Sequence, residues 1–225
     1  MTIRNVLIHL SVMLLGAAPA WAVDYSVKPL EEGPPRDELS AEVAGLIQDQ
    51  GVRVVRGAAT TYCDIWFCKT LPTVEGFKAT SELLYPFTPG QLVGVARFAR
   101  KGADFRDQDI DPGVYTLRYA QQPVDGAHVG TSPTRDFLLL SKADADKMPA
   151  VLDYKSLTQN SAEAAGSSHP AMICLQAVAP DVSEFPSIRH EEQHDWWIAA
   201  VRTPAQAGGK PLAMGIVVVG LAPEQ

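Results

Sequence analysis

Apolar residues recur along this chain with two different periods, and the change of period divides it. Over residues 37–50, Leu39, Val43, Leu46 and Ile47 fall at i, i+4, i+7 and i+8, one face of a helix. Asp37 or Ser40 supplies an N-cap, and Gly51 a left-handed residue after the last turn, so the spacing predicts a helix over 37–50. From residue 52 the period becomes that of strands. Residues 52–56 and 60–69 are rich in β-branched and aromatic side chains, with Gly57-Ala58-Ala59 as a hairpin connection. Residues 91–98 alternate Leu92, Gly94, Ala96 and Phe98 against Val93, Val95 and Arg97. Residues 113–120, 136–140, 172–178, 196–202 and 212–221 bring the set to about eight strands. In the last of them Ile216, Val217, Val218 and Val219 are apolar on both faces, which places that strand centrally in its sheet.

Two segments fit neither period. Residues 23–36 are polar, contain Gly33-Pro34-Pro35 and read as an extended lead-in. Residues 142–166 mix Ala, Asp, Lys and Glu with Leu152 and Leu157, and read as a helical or irregular insertion. Many strands, turn-rich connections and no regular helix between strands argue against a doubly wound sheet. They predict a mainly β fold: an antiparallel β-sandwich of about eight strands with an N-terminal helix and one insertion, forming a single domain over 37–225.

The first 22 residues carry a different pattern. Arg4 is a short positive region, residues 6–18 are apolar except for His9 and Ser11, and Ala20-Trp21-Ala22 is a small-x-small cleavage site. That order is the signature of a secretory signal peptide. Its apolar run is shorter than the roughly 20 residues a membrane-spanning helix needs. No Cys follows that run to take a lipid. Cleavage near Ala22 delivers a mature chain to the periplasm or the extracellular space, and nothing after residue 22 is long and apolar enough to span a bilayer as a helix.

Charge narrows the partners. The 19 basic residues less Arg4 leave 18 against 26 acidic ones, a formal charge of −8 on the mature chain. Nucleic acids and anionic membranes are bound through excess Lys and Arg, so this balance disfavours both. The partner expected is an envelope or extracellular one of unstated identity. Export permits a disulfide among Cys63, Cys68 and Cys174. If residues 61–68 form a strand, Cys63 and Cys68 lie on opposite faces and about 17 Å apart, too far to be bridged. A Cys174 bridge to either, or three buried thiols, both remain open.

Asp111-Pro112-Gly113-Val114-Tyr115-Thr116-Leu117-Arg118-Tyr119 resembles the Pro-Gly-x-Tyr-x-Leu strand of exported bacterial β-sandwich domains. With His128 to Phe137, the Asp64-Ile65-Trp66-Phe67 strand and the closing Val-Val-Val-Gly strand, the chain is similar to an uncharacterised group of exported bacterial proteins. The resemblance implies the fold. It implies no activity and no catalytic residues.

Three motifs bear on chemistry. His190-Glu191-Glu192-Gln193-His194 is a literal H-E-x-x-H. On a helix both imidazoles share a face and grip one zinc, with Glu191 as general base on the metal-bound water. A strand instead separates His190 from His194 by about 13 Å, and residues 196–201 look like a buried strand that starts just after His194. A third ligand is also wanting: beyond His194 there is no His and only Glu224, so His169 or His128 would have to serve. The alternate carboxylates of Asp107, Asp109 and Asp111 suggest calcium, but Pro112 and Arg118 stand where an EF-hand needs Gly and Glu; Asp-Pro-Gly reads as a turn. Residues 121–136 form a loop bearing His128 and Arg135, and loops on rigid sheets are where binding residues concentrate.

The sequence thus points to an exported, non-catalytic binding or structural module of the cell envelope that uses no cofactor, with His128 and Arg135 as the binding residues to test. The alternative is a zinc-dependent metallohydrolase with His190 and His194 as ligands and Glu191 as base. A small-ligand binder that holds its ligand inside the sandwich is a third reading.

Overall fold

The computed structural model describes residues 23–126, 128, 130–203 and 209–223. The leader assigned to residues 1–22 lies outside the described residues. In chain order the elements are β1 (Tyr25–Leu30), α1 (Ala41–Leu46), β2 (Gly51–Arg56), β3 (Thr60–Phe67), β4 (Leu92–Phe98), β5 (Gly102–Ala103), β6 (Asp109–Ile110), β7 (Gly113–Gln121), β8 (Asp136–Lys142), α2 (Tyr154–Ala165), β9 (Met172–Gln176), β10 (Ser187–Glu191), β11 (Trp196–Thr203) and β12 (Leu212–Val219).

Ten of the strands form one sheet in the order β1-β2-β3-β4-β7-β8-β9-β12-β11-β10, and β5 pairs with β6 alone. Every pairing is antiparallel. The two ends of the sheet come back together: β1 touches β10, and the ring of Tyr25 lies 5.5 Å from that of Trp197 on β11. The expected eight-strand sandwich is therefore corrected to a nearly closed ten-stranded sheet. Twist accumulates from strand to strand, and ten twisted strands curl until their edges meet.

All eight expected strands are present. Two more complete the sheet: β1, inside the stretch expected as an extended lead-in, and β10, outside the expected strands. Both are edge strands; β10 has little apolar content, and β1 carries Pro29, which an edge tolerates because no neighbour needs its missing N–H.

Two cores lie on opposite faces of this sheet. Inside the curl, Ile65, Tyr115, Leu117, Tyr119, Leu138, Leu140 and Ile216 pack together. Outside it, Phe105, Phe137, Leu139, Cys174, Trp196, Ile198 and Val217 form a second cluster, closed by Leu157 of α2. Alternation along β8 and β12 feeds both clusters, which is why those strands are apolar at consecutive positions. Each large side chain so buried contributes about 1.5–3 kcal/mol.

The N-terminal helix is shorter than its periodicity predicts. Ser40 caps it through its Oγ, which accepts from Val43 N at 3.2 Å, but Ile47 is already extended. Ile47 bridges Cys68, Gln48 N donates to Phe67 O and Lys69 N to Leu46 O, so pairing with the end of β3 replaces the last helical turns. Leu39, Val43 and Ile47 are buried as expected, whereas Leu46 faces solvent. Gly51 is not a helix cap but the first residue of β2. A Cβ there would lie 2.7 Å from the Trp66 ring and from Ile65 O, so the close approach of strand and ring requires glycine.

The 142–166 insertion is a pinned loop followed by a helix. Asp153 Oδ1 accepts from Ser156 N to start α2, and Gly166, at φ 61°, ends it in the left-handed conformation. The loop before it is held by Arg118, whose side chain is fully buried. Its five N–H groups meet five acceptors: both carboxylate oxygens of Asp146 and the carbonyls of Gly90, Met148 and Ala150. A second buried carboxylate, Asp64, joins Arg53 at 2.6 Å and Arg97 at 2.7 Å across β2, β3 and β4.

Candidate functional site

The H-E-x-x-H segment is a β-hairpin. His190 and Glu191 end β10, residues 192–195 make the turn, and Asp195 takes the left-handed conformation at φ 57° before β11 begins. This corrects the helical reading on which joint zinc ligation by His190 and His194 rests. His190 stacks on Trp197 at 4.6 Å and its Nε2 pairs with Asp195 at 2.6 Å. His194 stacks on Trp196 at 4.5 Å and its Nδ1 pairs with Glu191 at 2.7 Å. Trp196 and Trp197 are neighbours on one strand and belong to opposite cores, so the two imidazoles lie on opposite faces of the hairpin. Glu191 also accepts from Gln193 N and His194 N. The His194 hydrogen bond is the main cause that holds its carboxyl below the usual value. These contacts make Glu191 the clasp of the turn. Among the described residues no three His, Cys, Asp or Glu side chains gather as a metal site.

The Asp107–Asp111 stretch also takes its own shape. Asp107 is left-handed at φ 61°, Asp109 belongs to β6 and pairs with Lys101 at 2.6 Å, and a bend leads into β7.

The three cysteines are free and buried, and no bridge forms between Cys174 and either of the others. Burial pushes the Cys174 thiol up to about 11 and that of Cys68 to about 12. Cys174 Sγ accepts from Gln176 Nε2 of its own strand at 3.1 Å and contacts Ser132 Oγ at 3.2 Å, which ties β9 to the loop before β8. A thiol held protonated and buried is a packing group, not a nucleophile.

The feature that gathers chemistry is a cleft of about 410 Å³ on the outer face of the sheet. Its floor is Ala120 of β7, Phe137 and Leu139 of β8, and Met172 of β9. Tyr154 and Thr158 of α2 form one wall, and Phe105 and Arg106 of the β5–β6 loop another. His128 and Thr131 come from the loop after β7, and His169 from the turn after α2. The volume falls within the range of small-molecule sites, and an apolar floor with a few convergent polar groups is their usual chemistry.

Each wall is fixed by a buried anchor. Asp104 is 3% exposed and accepts four hydrogen bonds, from Arg106 N, Gln108 N, Gln108 Nε2 and Met172 N. They hold the loop that presents Phe105 and Arg106. Gln108 then reaches the next wall: its Nε2 donates to Pro170 O at 3.0 Å, and its Oε1 accepts from Ser167 Oγ. The same Ser167 Oγ accepts from His169 N. The Arg106 and His169 loops are thereby tied to one another. Across the cleft, Gln122 Nε2 donates to Thr131 Oγ1, whose hydrogen bonds to His128 O.

Of the two expected binding residues, the structure brings His128 to the cleft. Its Nδ1 lies 2.6 Å from Asp125 Oδ1, which orients the ring and leaves Nε2 for a ligand. Arg135 stands behind the loop: its Nε donates to Gln122 O at 2.9 Å and its N to Glu82 O, so it braces the segment that carries His128. Phe105, Arg106, Tyr154 and Thr158 escaped sequence reasoning, and His169 entered it only as a zinc ligand. Tyr154, 62% exposed on an otherwise polar helix face, carries a faint signal. Phe105 sits between Asp104 and Arg106 in a segment without periodicity and carries none.

Comparison with protein-family models, with curated proteins and with solved structures finds no match to this chain.

Proposed function

We propose that this chain is an exported, non-catalytic binding module of the cell envelope whose ligand sits in the cleft between α2 and the outer face of the sheet. The cleft carries the reading: about 410 Å³, an apolar floor of Phe137, Leu139 and Met172, and polar side chains from three separate loops at its edge. Export rests on Arg4, the apolar run and the Ala20-Trp21-Ala22 cleavage motif, with the mature chain in the periplasm or outside the cell. The likeness of residues 111–137 to exported bacterial β-sandwich domains points the same way. A binding role is favoured over a catalytic one because the side chains around the cleft hold no nucleophile–base pair at hydrogen-bonding distance among the described residues.

Two measurements test this. Full-length protein expressed in a bacterial host is expected in the periplasmic fraction or the medium, with an N-terminus at Val23 by mass spectrometry; uncleaved protein in the cytoplasm refutes export. Binding of 1-naphthylmethanol, a neutral apolar probe, is expected by titration calorimetry, and Thr158→Trp, which fills the cleft from the helix side, is expected to abolish it. No binding, or binding that Thr158→Trp leaves unchanged in a normally folded protein, refutes the cleft as the site.

A further inference from the structure

We infer that the cleft takes a small organic anion, with an apolar body on Phe105, Phe137 and Leu139 and a carboxylate or sulfonate held by Arg106 and His169. The inference rests on the cleft being the binding site and adds the chemical class of its ligand.

Charge complementarity singles out that class. The protein as a whole is acidic, with a formal charge of −7. The cleft itself presents Arg106, His128 and His169, with Asp107 as the one carboxylate in its lining and Asp125 behind it paired to His128. Asp107 also borders a second depression beside Tyr25 and Lys101, so it stands on the partition between the two.

Some of the cations in the molecule are neutralised where they stand. Arg36, Arg53, Arg97, Arg118 and Lys101 all have a carboxylate partner. So do His128, His190 and His194. The guanidinium of Arg106 and the ring of His169 have neither an ion pair nor a side-chain hydrogen bond among the described residues. Their backbones are nonetheless fixed, Arg106 by Asp104 and His169 by Ser167, and Gln108 links the two loops. Two donor-bearing side chains without partners, on crosslinked loops beside an aromatic floor, match a ligand with an anionic end and a flat apolar body. Hydrogen bonds to a charged group that is part-shielded from water strengthen binding by roughly tenfold or more.

The test compares three probes of one shape on the mature protein: 1-naphthoate, the neutral 1-naphthylmethanol and the cationic 1-naphthylmethylammonium. Naphthoate is expected to bind on the order of tenfold more tightly than the alcohol, and the ammonium most weakly. Added salt is expected to weaken naphthoate binding and leave the alcohol unaffected. Arg106→Ala with His169→Ala, both exposed, is expected to erase the preference of naphthoate over the alcohol. If the alcohol binds as well as naphthoate, or the double variant keeps the preference, the anionic class is wrong while the cleft stands. If no probe shows binding sensitive to Thr158→Trp, the cleft and the ligand class fall together.

Discussion

Replacing Asp146 by Ala is expected to be among the most damaging single changes in this protein. Asp146 is 3% exposed and Arg118 is fully buried. Their contact is bidentate, Nε to Oδ2 at 2.6 Å and Nη2 to Oδ1 at 2.8 Å, and Oδ2 also accepts from Thr116 Oγ1. Truncation leaves the guanidinium buried and charged with only the carbonyls of Gly90, Met148 and Ala150 around it. Removing one partner of a buried ion pair costs about 3–5 kcal/mol, mostly the desolvation of the charge left behind. Against a total stability of about 5–15 kcal/mol, that is about a fifth of it or more. For a domain of this size the melting temperature should fall by roughly 6–20 °C. Asp144→Ala is the control: Asp144 lies in the same loop but is exposed, and its loss should stay within about 0.5 kcal/mol. Urea unfolding of the mature chain measures both. The loop that Arg118 pins leads directly into α2, so amide exchange of Tyr154–Ala165 should also quicken in the Asp146 variant. If Asp146→Ala costs no more than Asp144→Ala at an unchanged denaturant slope, the buried pair is not the anchor described here.

Two further outcomes follow from the ionisable groups. Burial raises the Cys174 and Cys68 thiols to about 11 and 12 and that of Cys63 further still, so a disulfide reagent at about pH 8 should label none of the three in native protein and all three in concentrated guanidinium. Because their folded values are raised, the favourable effect is complete below the unfolded value of about 8.5 and stability declines as pH climbs from there towards 11–12; denaturant midpoints that hold steady through that window contradict it. Glu191 is shifted down from its ordinary 4.5, first by its hydrogen bond to His194, so its contribution to the hairpin is present above that value and lost as pH falls through the lower, folded one. Carboxyl-carbon NMR should place its midpoint below 4.5, and His194→Ala should return it towards 4.5; an unchanged midpoint in that variant assigns the shift elsewhere.

The legible parts of the chain are those whose burial is local in sequence. Strands 92–98 and 212–219 announce themselves because both of their faces are buried, whatever covers them. The hairpin at Gly57-Ala58-Ala59 is legible for a similar reason: Gly57 takes φ 60° and the connection is closed by its own strands. Edge strands are not legible in this way. Residues 187–191 contain a single large apolar residue, Ile188, and become a strand only because β11 offers a partner from Trp196 to Ala200. The same pairing overrides H-E-x-x-H, whose spacing means one thing on a helix and another across a β-turn. Likewise the periodicity over 37–50 is truthful about which side chains are buried, Leu46 apart. It misleads about length, since the bridge between Ile47 and Cys68 joins residues far apart in the chain.

The position of the cleft follows from how the sheet closes. A curled sheet has one obvious cavity, its interior, and a small ligand is first looked for there. Here that space is filled by Tyr115, Leu117 and Tyr119, each no more than 1% exposed. The outer face is different. Phe137, Leu139 and Val217 make it apolar over only part of its area, and it must be covered or used. Leu157 of α2 and Phe105 of the β5–β6 loop cover it incompletely, and the cleft is the remainder between them. A cleft made by partial covering inherits its polar groups from the loops that do the covering. That is why His128, Arg106 and His169 come from three separate places in the chain, and why no contiguous motif marks them. It also predicts how such a site should respond to change: side chains on the sheet set whether the domain folds, while those on the covering loops set what it holds. Substitutions at Arg106 and His169 should therefore alter ligand preference at constant stability, whereas substitutions at Phe137 and Leu139 should alter both.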